Sequence, residues 1–341
     1  MRVTDTVRTL CALPGPSGWE DAVREYLMQQ ARPYADEMSV DLNGNLLVFK
    51  KGRKPAPEKL LLAAHMDEVG VLVKQITDQG YVKFDFVGGV DTRVALSKKV
   101  LLGEKSIPGV IGLQPIHLAG QEGMERLPES KDLYIDIGAK DKDAALELVQ
   151  PGDYGVFDPE QALLRGGMLR AKAIDDRVGC AVLLELLKED LPTDVWFAFT
   201  VQEEVGCRGA QGAAFRIKPD VAIVLEGTTA ADAPLMQGAK KVCIPGKGPV
   251  IPFMDGGSIY DRGLFEQLRG LAQKNDIPWQ TKTWLSGGTD ASAIQRRGSG
   301  ARVGAISAAV RYIHSPSSVG CTEDFENMLR LLELYLEDFA Q

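Results

Sequence analysis

Acidic and histidine side chains follow several apolar runs of this sequence, at the point where each run ends. In DVWFAFTVQEEVG the adjacent glutamates Glu203 and Glu204 come directly after such a run, and in EKLLLAAHMDE so do His65 and Asp67. Taken alone, the glutamate pair is explained by a solvated loop after a buried strand, and the histidine by a surface position beside acids. The repetition of the pattern at several apolar runs is what indicates that these side chains belong to a common site.

The pattern recurs at three further places. Asp175 and Asp176 stand just ahead of a helical stretch in AKAIDDRVG, where helix capping alone would account for one of them. Glu226 ends the apolar run in VLEGTT, and His314 follows another in RYIHSPSS. Catalytic residues of α/β proteins often lie at such strand ends, so these side chains indicate one site.

The donors in this set are histidines and carboxylates without cysteine, which suits a borderline or hard divalent cation. With a period of two, His65 and Asp67 lean to the same side of the strand, so the carboxylate can hold one imidazole nitrogen while the other binds a metal. The carboxylates suffice for two ions with one bridging aspartate. Such a pair can lower the pKa of a shared water and stabilise the oxyanion formed at a carbonyl, and one acid is left over as general base.

Composition restricts the class of protein. The 341 residues carry a formal net charge of −8, which disfavours a polyanionic partner, so we expect no nucleic-acid binding. No apolar run reaches the roughly 18 to 20 residues of a membrane span, and the first residues lack the apolar segment of a signal peptide, so we expect a cytoplasmic protein with no membrane partner. Five cysteines without a C-x-x-C pair indicate reduced, mostly buried thiols.

The elements that must position these residues can be predicted from the pattern of apolar residues and turns. Ser17 stands three residues before Glu20 in PSGWEDAVREYL, a capping-box pattern that predicts a helix near 18–33. MSVDLNGNLLVFKKG predicts a hairpin around Asn43 and Gly44, and EKLLLAAH a short buried strand.

The second half of the chain alternates between helical and extended patterns. It shows a helix in DDRVGCAVLLELLKEDL, strands in TDVWFAFTV and DVAIVLEG, and a helix followed by a strand in DRGLFEQLRGLAQKNDIPWQTKTW. Alternation of this kind predicts an α/β sheet covered by helices on its faces. One face of a final helix is apolar, with Phe325, Met328, Leu329, Leu332, Tyr335, Leu336 and Phe339.

The stretch from 67 to 163 has a different texture. Short β-like runs are divided by glycine and proline, with one weaker helical stretch near 141–149. We therefore predict an α/β catalytic domain, a mixed sheet sandwiched by helices, built from residues 1–66 plus 164–341, with a mainly β domain inserted at 67–163.

Five motifs carry a family resemblance. AAHMDEVG, AIDDRVG, VQEEVG, SGGTDASAI and YIHSPSS, in this order, resemble the tetrahedral (TET) aminopeptidases, which include glutamyl and leucyl aminopeptidases. The likeness runs over essentially the whole chain, including GVIGLQPIHL and DLYIDIGAK. It implies a dinuclear metallo-aminopeptidase with a zinc-exopeptidase-like catalytic domain, acting on short peptides with a free N-terminus. It also implies that the inserted domain mediates dimers, which assemble into a hollow homododecamer.

The resemblance implies a role for each residue of the site. The two divalent ions of each subunit, zinc or cobalt with manganese or nickel as alternatives, would be held by His65, Asp175, Glu204, Glu226 and His314. His65 and Glu226 would bind one ion, Glu204 and His314 the other, and Asp175 would bridge.

The remaining roles belong to residues outside this ligand set. Glu203 would be the general base that takes a proton from the metal-bridging water and passes it to the leaving amine, and Asp67 would orient His65. A cis peptide is implied between Asp175 and Asp176. Many relatives have aspartate at the position of Glu226, so the longer side chain here could change denticity, metal preference or specificity.

Several alternatives stay open. The same site would suit a deacylase, a carboxypeptidase or an enzyme labelled an endoglucanase, and a metal-stabilised assembly protein would need no catalysis; glutamyl, leucyl and lysyl preferences are equally compatible. His117 is either a packed or surface side chain or a contributor to a neighbouring subunit's site. The loop 287–290 either caps a helix or lines the substrate pocket. Cys180 and Cys207 stand near the proposed ligands in sequence, but they would be atypical ligands, and buried packing is expected of both.

Overall fold

The computed structural model describes residues 2–115, 117–118, 126–234, 236–285 and 287–341. The strands are, in chain order, β1 (Glu37–Val40), β2 (Leu46–Lys50), β3 (Leu60–His65), β4 (Gly70–Ile76), β5 (Val82–Val87), β6 (Lys99–Leu102), β7 (Ile107–Gly112), β8 (Tyr134–Asp136), β9 (Tyr154–Phe157), β10 (Ala162–Leu164), β11 (Met168–Ala171), β12 (Val195–Thr200), β13 (Val221–Ala230), β14 (Arg302–Arg311) and β15 (Ser318–Cys321). The helices described in full are α1 (Arg2–Ala12), α2 (Asp21–Ala31), α3 (Thr92–Ala95), α4 (Lys142–Leu146), α5 (Ile174–Leu187), α6 (Arg208–Ile217), α7 (Arg262–Lys274), α8 (Asp290–Gln295) and α9 (Thr322–Phe339).

The main sheet is mixed, in the order β1-β2-β12-β3-β13-β14-β15-β11-β10. Its centre is parallel, because β12, β3, β13 and β14 run in the same direction, whereas the outer strands pair antiparallel. Every residue of β3 is buried, as expected for a central strand covered on both faces. The predicted α/β class, a mixed sheet sandwiched by helices with a mainly β part, is confirmed.

Helices cover both faces of this sheet. The larger core lies under α1, α2, α5, α7 and α9, and the smaller one, rich in alanine, lies under α6 and α8. Small side chains on α6 and α8 let these helices approach the sheet closely. The predicted apolar face of the last helix is confirmed, since Phe325 through Leu336 are buried on it and Phe339 packs at its edge.

The second unit is a closed barrel of β4-β5-β8-β7-β6-β9. It has its own apolar core, which includes Val71, Phe84 and Ile135. The predicted helical stretch near 141–149 is present as α4 beside it. Of the residues that the structure describes here, His117 is exposed. No helix in the described ranges is long and apolar enough to cross a bilayer.

The hairpin predicted between β1 and β2 is confirmed. Glu37 pairs with Phe49 and Val40 with Leu46, and the Asp41 carboxylate accepts the backbone N–H groups of the turn. Gly44 has a φ of +100°, a value that a residue with a side chain adopts only with strain. This explains the Asn-Gly pair in the sequence.

Two sequence predictions are wrong in detail. Helix α2 begins at Asp21 and ends at Ala31, and no capping box forms, because its N-cap residue Glu20 makes no side-chain cap hydrogen bond. Ser17 instead donates to Asp67 at 2.6 Å, which draws it away from the helix. The strand expected after α7 is also absent from the described residues there, where only an isolated bridge joins Gln280 to the chain at position 250.

Candidate metal centre and active site

The parallel strands bring the polar residues of the sequence pattern to one edge of the sheet. His65 is the last residue of β3, paired in register with Thr200 at the end of β12, and Glu226 lies on β13. His314 follows β14, and its backbone takes a left-handed φ of 54°. Glu226 does not end its strand, as the sequence pattern suggested, because β13 continues to Ala230. It meets His65 because β3 and β13 pair in parallel with Ala63 opposite Val224, which places Glu226 level with the end of β3.

Asp175 lies between the two histidines. Its Oδ1 is 3.5 Å from His65 Nε2, and its Oδ2 is 3.5 Å from His314 Nε2. His65 Nε2 is also 3.6 Å from Glu226 Oε2, and His314 Nε2 is 3.2 Å from Glu204 Oε2. The arrangement therefore contains two donor sets, each with one histidine and one glutamate, that share a single carboxylate.

Asp67 supports both the histidine and the glutamate pair. It is fully buried, with its Oδ1 3.5 Å and its carbonyl oxygen 3.1 Å from His65 Nδ1. The backbone N–H groups of Glu203 and Glu204 donate to the Asp67 carboxylate at 2.9 and 3.1 Å. Its contact with the backbone of the glutamate pair was not predicted from the sequence.

Asp176 has a different environment from its neighbour. Its carboxylate accepts the N–H of His65 at 3.3 Å and the N–H of Gly179, three residues further along, at 2.9 Å. Asp175 and Asp176 have non-helical backbone angles near the start of α5, and the bond to Gly179 lies where the regular part of the helix begins. The peptide between Asp175 and Asp176 is cis. Ligand atoms of His65, Asp176 and Glu226 also lie within 4.8 Å of one another, but both Asp176 oxygens already accept backbone N–H groups.

A buried ion-pair network behind the centre was missed in the sequence. Glu68 accepts hydrogen bonds from Lys172 at 2.6 and 2.8 Å and from Arg177 at 3.2 Å, and all three are at most 2% exposed. Buried charges are tolerated when they are paired in this way. The signal lay in the sequence, since each of the three residues is within three positions of Asp67 or Asp175.

The centre holds more acidic side chains than its two histidines can balance. Burial raises the pKa of Glu203 and of Glu204 to about 7, with neighbouring carboxylates adding to the shift and the histidines opposing it. Burial raises the pKa of Glu226 well above its ordinary value, and its Oε1 has no hydrogen-bond partner among the described residues. Burial alone would raise the pKa of Asp175, but hydrogen bonds from His314 and His65 outweigh it and lower the pKa. A crowded acid cluster with an unpartnered buried oxygen fits divalent cations.

Glu20 is a buried carboxyl group beside the centre, and its burial has a measurable effect on the pH dependence of stability. Burial raises the pKa of Glu20 to about 7, although its Oε1 accepts the N–H groups of Gly18 and Gln202. The folded chain therefore keeps a proton on Glu20 that the unfolded chain loses near its ordinary pKa, so this group contributes less stability as the pH rises from about 4.5 to 7.

We expect Glu20→Gln to remove this pH dependence, because the amide oxygen can accept the same two hydrogen bonds without ionising. Relative to the original chain, the free energy of unfolding of the variant should gain on the order of 2 kcal/mol between pH 5 and pH 8. Denaturant unfolding at the two pH values measures it. Glu25→Gln, an exposed change on helix α2, which begins directly after Glu20, is the control, and an equal gain there would contradict the explanation.

Two histidines that share a buried carboxylate, where the parallel strands of a mixed sheet end, form a donor set of the kind found in metal-dependent hydrolases. Comparison with known proteins identifies the family within this class. The model of the M42 glutamyl aminopeptidases matches residues 44–331, and the chain belongs to this family.

Individual relatives are similar over nearly their whole length. A putative aminopeptidase of Acetivibrio thermocellus is 39% identical over 330 residues, 96% of each chain. An aminopeptidase structure from the archaeon Desulfurococcus kamchatkensis superimposes with a TM-score of 0.93 at 35% identity, covering 99% of this chain and 96% of that one. A TET1 peptidase of Pyrococcus horikoshii, described as assembling into a tetrahedron or a large octahedral shell, has a TM-score of 0.86 at 36% identity, with 98% and 99% covered. The chain is accordingly an aminopeptidase, and the peptidases of its family are metallopeptidases.

Proposed function

We propose that this aminopeptidase is dinuclear and removes N-terminal residues from short peptides, with Glu203 as general base. The observation that carries the proposal is the position of Asp175, whose two carboxylate oxygens face His65 and His314 separately. Each histidine has its own glutamate neighbour. A carboxylate in this position can bridge two cations, one in each donor set.

The ions would be held by His65, Asp175 and Glu226 in one set and by Asp175, Glu204 and His314 in the other. Divalent cations in such a pair lower the pKa of water and polarise the substrate carbonyl. The donors are nitrogen and oxygen, so zinc or cobalt is proposed, with manganese and nickel as alternatives. The unpartnered Oε1 of Glu226 supports a direct role for the longer side chain as a ligand.

Glu203 belongs to neither donor set, and unlike Asp67 and Asp176, whose carboxylates accept backbone N–H groups, its carboxylate accepts a hydrogen bond from the Cys207 thiol. The Asp67 carboxylate holds its backbone N–H, and with it the orientation of the residue, beside Glu204. A pKa near 7, raised by burial, suits a group that must accept a proton from the attacking water and then donate it to the leaving amine. In this proposal Asp67 is a positioning residue for His65 and for the glutamate pair.

The division into domains, the assembly and the cellular location are proposed from the likeness to the family. We assign residues 1–66 plus 164–341 to the catalytic domain and 67–163 to an inserted β domain that mediates dimers, which build a tetrahedral dodecamer in the cytoplasm. The closed barrel between residues 70 and 157 supports the inserted domain, and the tetrahedral assembly described for the related TET1 peptidase supports the proposed assembly. Within the loop 287–290, Thr289 accepts the N–H of Ala291 and so caps α8.

Metal-free protein tests the proposal. We expect it to hydrolyse none of a panel of aminoacyl-p-nitroanilides, and to recover activity when zinc, cobalt, manganese or nickel is added back, with two ions per subunit at saturation. An N-acetylated peptide should be rejected because an aminopeptidase acts at a free amino group. Uniform inactivity with every metal, or cleavage of the acetylated peptide at the same rate, would argue against the proposal.

A further inference from the structure

Glu203 has neighbours that belong to neither donor set. Its Oε1 accepts a hydrogen bond from the Cys207 thiol at 3.3 Å. One ligand atom each of Glu203, Cys207 and Asp290 lie within 4.8 Å of one another. A thiol and two carboxylates placed in this way are donors for a cation that accepts both sulfur and oxygen ligands.

A backbone turn sets the spacing between Glu203 and Cys207. The N–H groups of Gly206 and Cys207 donate to the carbonyl oxygen of Glu203 at 2.8 and 2.9 Å. The turn carries Cys207 back toward Glu203, and a left-handed φ of 52° at Cys207 then leads the chain into α6. Because backbone atoms hold this turn, a serine at position 207 should preserve it.

Asp290 provides an independent indication of a ligand. It is the first residue of α8 and is fully buried. Its Oδ2 accepts a hydrogen bond from the Thr200 hydroxyl, whereas its Oδ1 has no hydrogen-bond partner among the described residues. A buried carboxylate oxygen without a partner is costly, and a bound cation would satisfy it.

The dimensions suit a thiophilic ion. Bonds of about 2.3 Å to sulfur and about 2.0 to 2.2 Å to oxygen separate tetrahedral donors by roughly 3.3 to 3.8 Å, so side-chain movements of about 1 Å would close the cluster. Glu203 and Cys207 are half-buried, which leaves a route of entry. A thiolate ligand favours Zn²⁺ or Cd²⁺ over Mg²⁺ or Ca²⁺.

We propose that Glu203, Cys207 and Asp290 form an inhibitory site for one further thiophilic cation, beyond the two of the catalytic centre. On binding, the Cys207 thiol releases its proton to solvent and forms a sulfur–metal bond, while the Glu203 carboxylate becomes a ligand. The inhibition rests on the proposed function, because a carboxylate held by a cation cannot act as general base. Zinc in excess of the two catalytic ions would in this way inhibit turnover.

Cadmium titrated into the assembled, metal-loaded enzyme is the probe. Two readouts are followed together, namely turnover of an aminoacyl-p-nitroanilide and the ultraviolet charge-transfer absorption of a thiolate bound to cadmium. We expect inhibition and absorption to rise together, with one additional cadmium per subunit. Cys207→Ser, compared with its own turnover before cadmium is added, should weaken both responses by at least about tenfold, since a hydroxyl is a poor ligand for this ion.

Matched variants separate the causes. Cys243→Ser changes a buried thiol that contacts the Thr229 carbonyl instead, and it should respond to cadmium as the original chain does. Asp290→Asn should weaken the cadmium absorption as well. Equal inhibition of the original chain and of Cys207→Ser would overturn the site, because cadmium would then act by replacing the catalytic ions.

The two proposals fail in different ways. If no absorption depends on Cys207 while Glu203→Gln is inactive, the inhibitory site is wrong and the base assignment stands. If absorption depends on Cys207 while turnover is unchanged and Glu203→Gln stays active, the inhibition is overturned together with the role of Glu203.

Discussion

Replacing Glu203 by glutamine is expected to reduce kcat by about 10²- to 10⁴-fold, the usual contribution of a general acid or base. The amide has nearly the same shape, and the contact between its backbone N–H and Asp67 does not depend on the side chain. Metal content and assembly should therefore be unchanged. Steady-state kinetics, elemental analysis and the molecular mass of the assembly measure the three quantities.

Glu204→Gln is the matched control, because it makes the same chemical change one residue further along the chain. Glu204 Oε2 lies 3.2 Å from His314 Nε2, inside a donor set, so this variant should lose metal from that set as well as activity. Excess metal should restore part of the turnover of Glu204→Gln and none of that of Glu203→Gln. A Glu203→Gln enzyme with most of its original turnover would falsify the base assignment.

Asp175→Asn is expected to affect both ions at once. Its two oxygens face His65 and His314, and an amide nitrogen in place of one oxygen offers the ions no lone pair on that side. Loss of a residue that only supports a metal ligand lowers metal affinity by up to about 100-fold. Asp175 is a proposed ligand itself, so we expect the metal affinity of Asp175→Asn to fall by at least that factor, and turnover to fall with it. Elemental analysis after dialysis against a weak chelator gives the stoichiometry.

The comparison with Glu204→Gln decides whether Asp175 bridges. A bridging carboxylate predicts that Asp175→Asn loses both ions, whereas Glu204→Gln loses chiefly one. Equal retention of one ion by the two variants would show instead that Asp175 serves a single donor set. Folding is checked by circular dichroism, because Asp175 also accepts the backbone N–H of Gly227.

Much of the scaffold could be predicted from local pattern. The apolar run ending at His65, the hairpin around Gly44 and the amphipathic helix from Thr322 to Phe339 each have a periodicity that a single segment reveals. The capping box that the sequence predicts at Ser17 and Glu20 does not form, because such a box is a local pattern that tertiary contacts can outweigh. Ser17 donates to the Asp67 carboxylate instead, and the Glu20 carboxylate accepts the backbone N–H of Gln202.

The sequence by itself determined which donors this protein has and that most of them follow apolar runs, because residue type and apolar periodicity are local properties. It could not determine which oxygen faces which histidine, or that Glu68 is paired with Lys172 behind the centre. Nor could it show that Cys207 and Asp290 meet at Glu203. Those relations depend on the order and register of β12, β3, β13 and β14 and on the turn before α6, which bring together residues far apart in the chain.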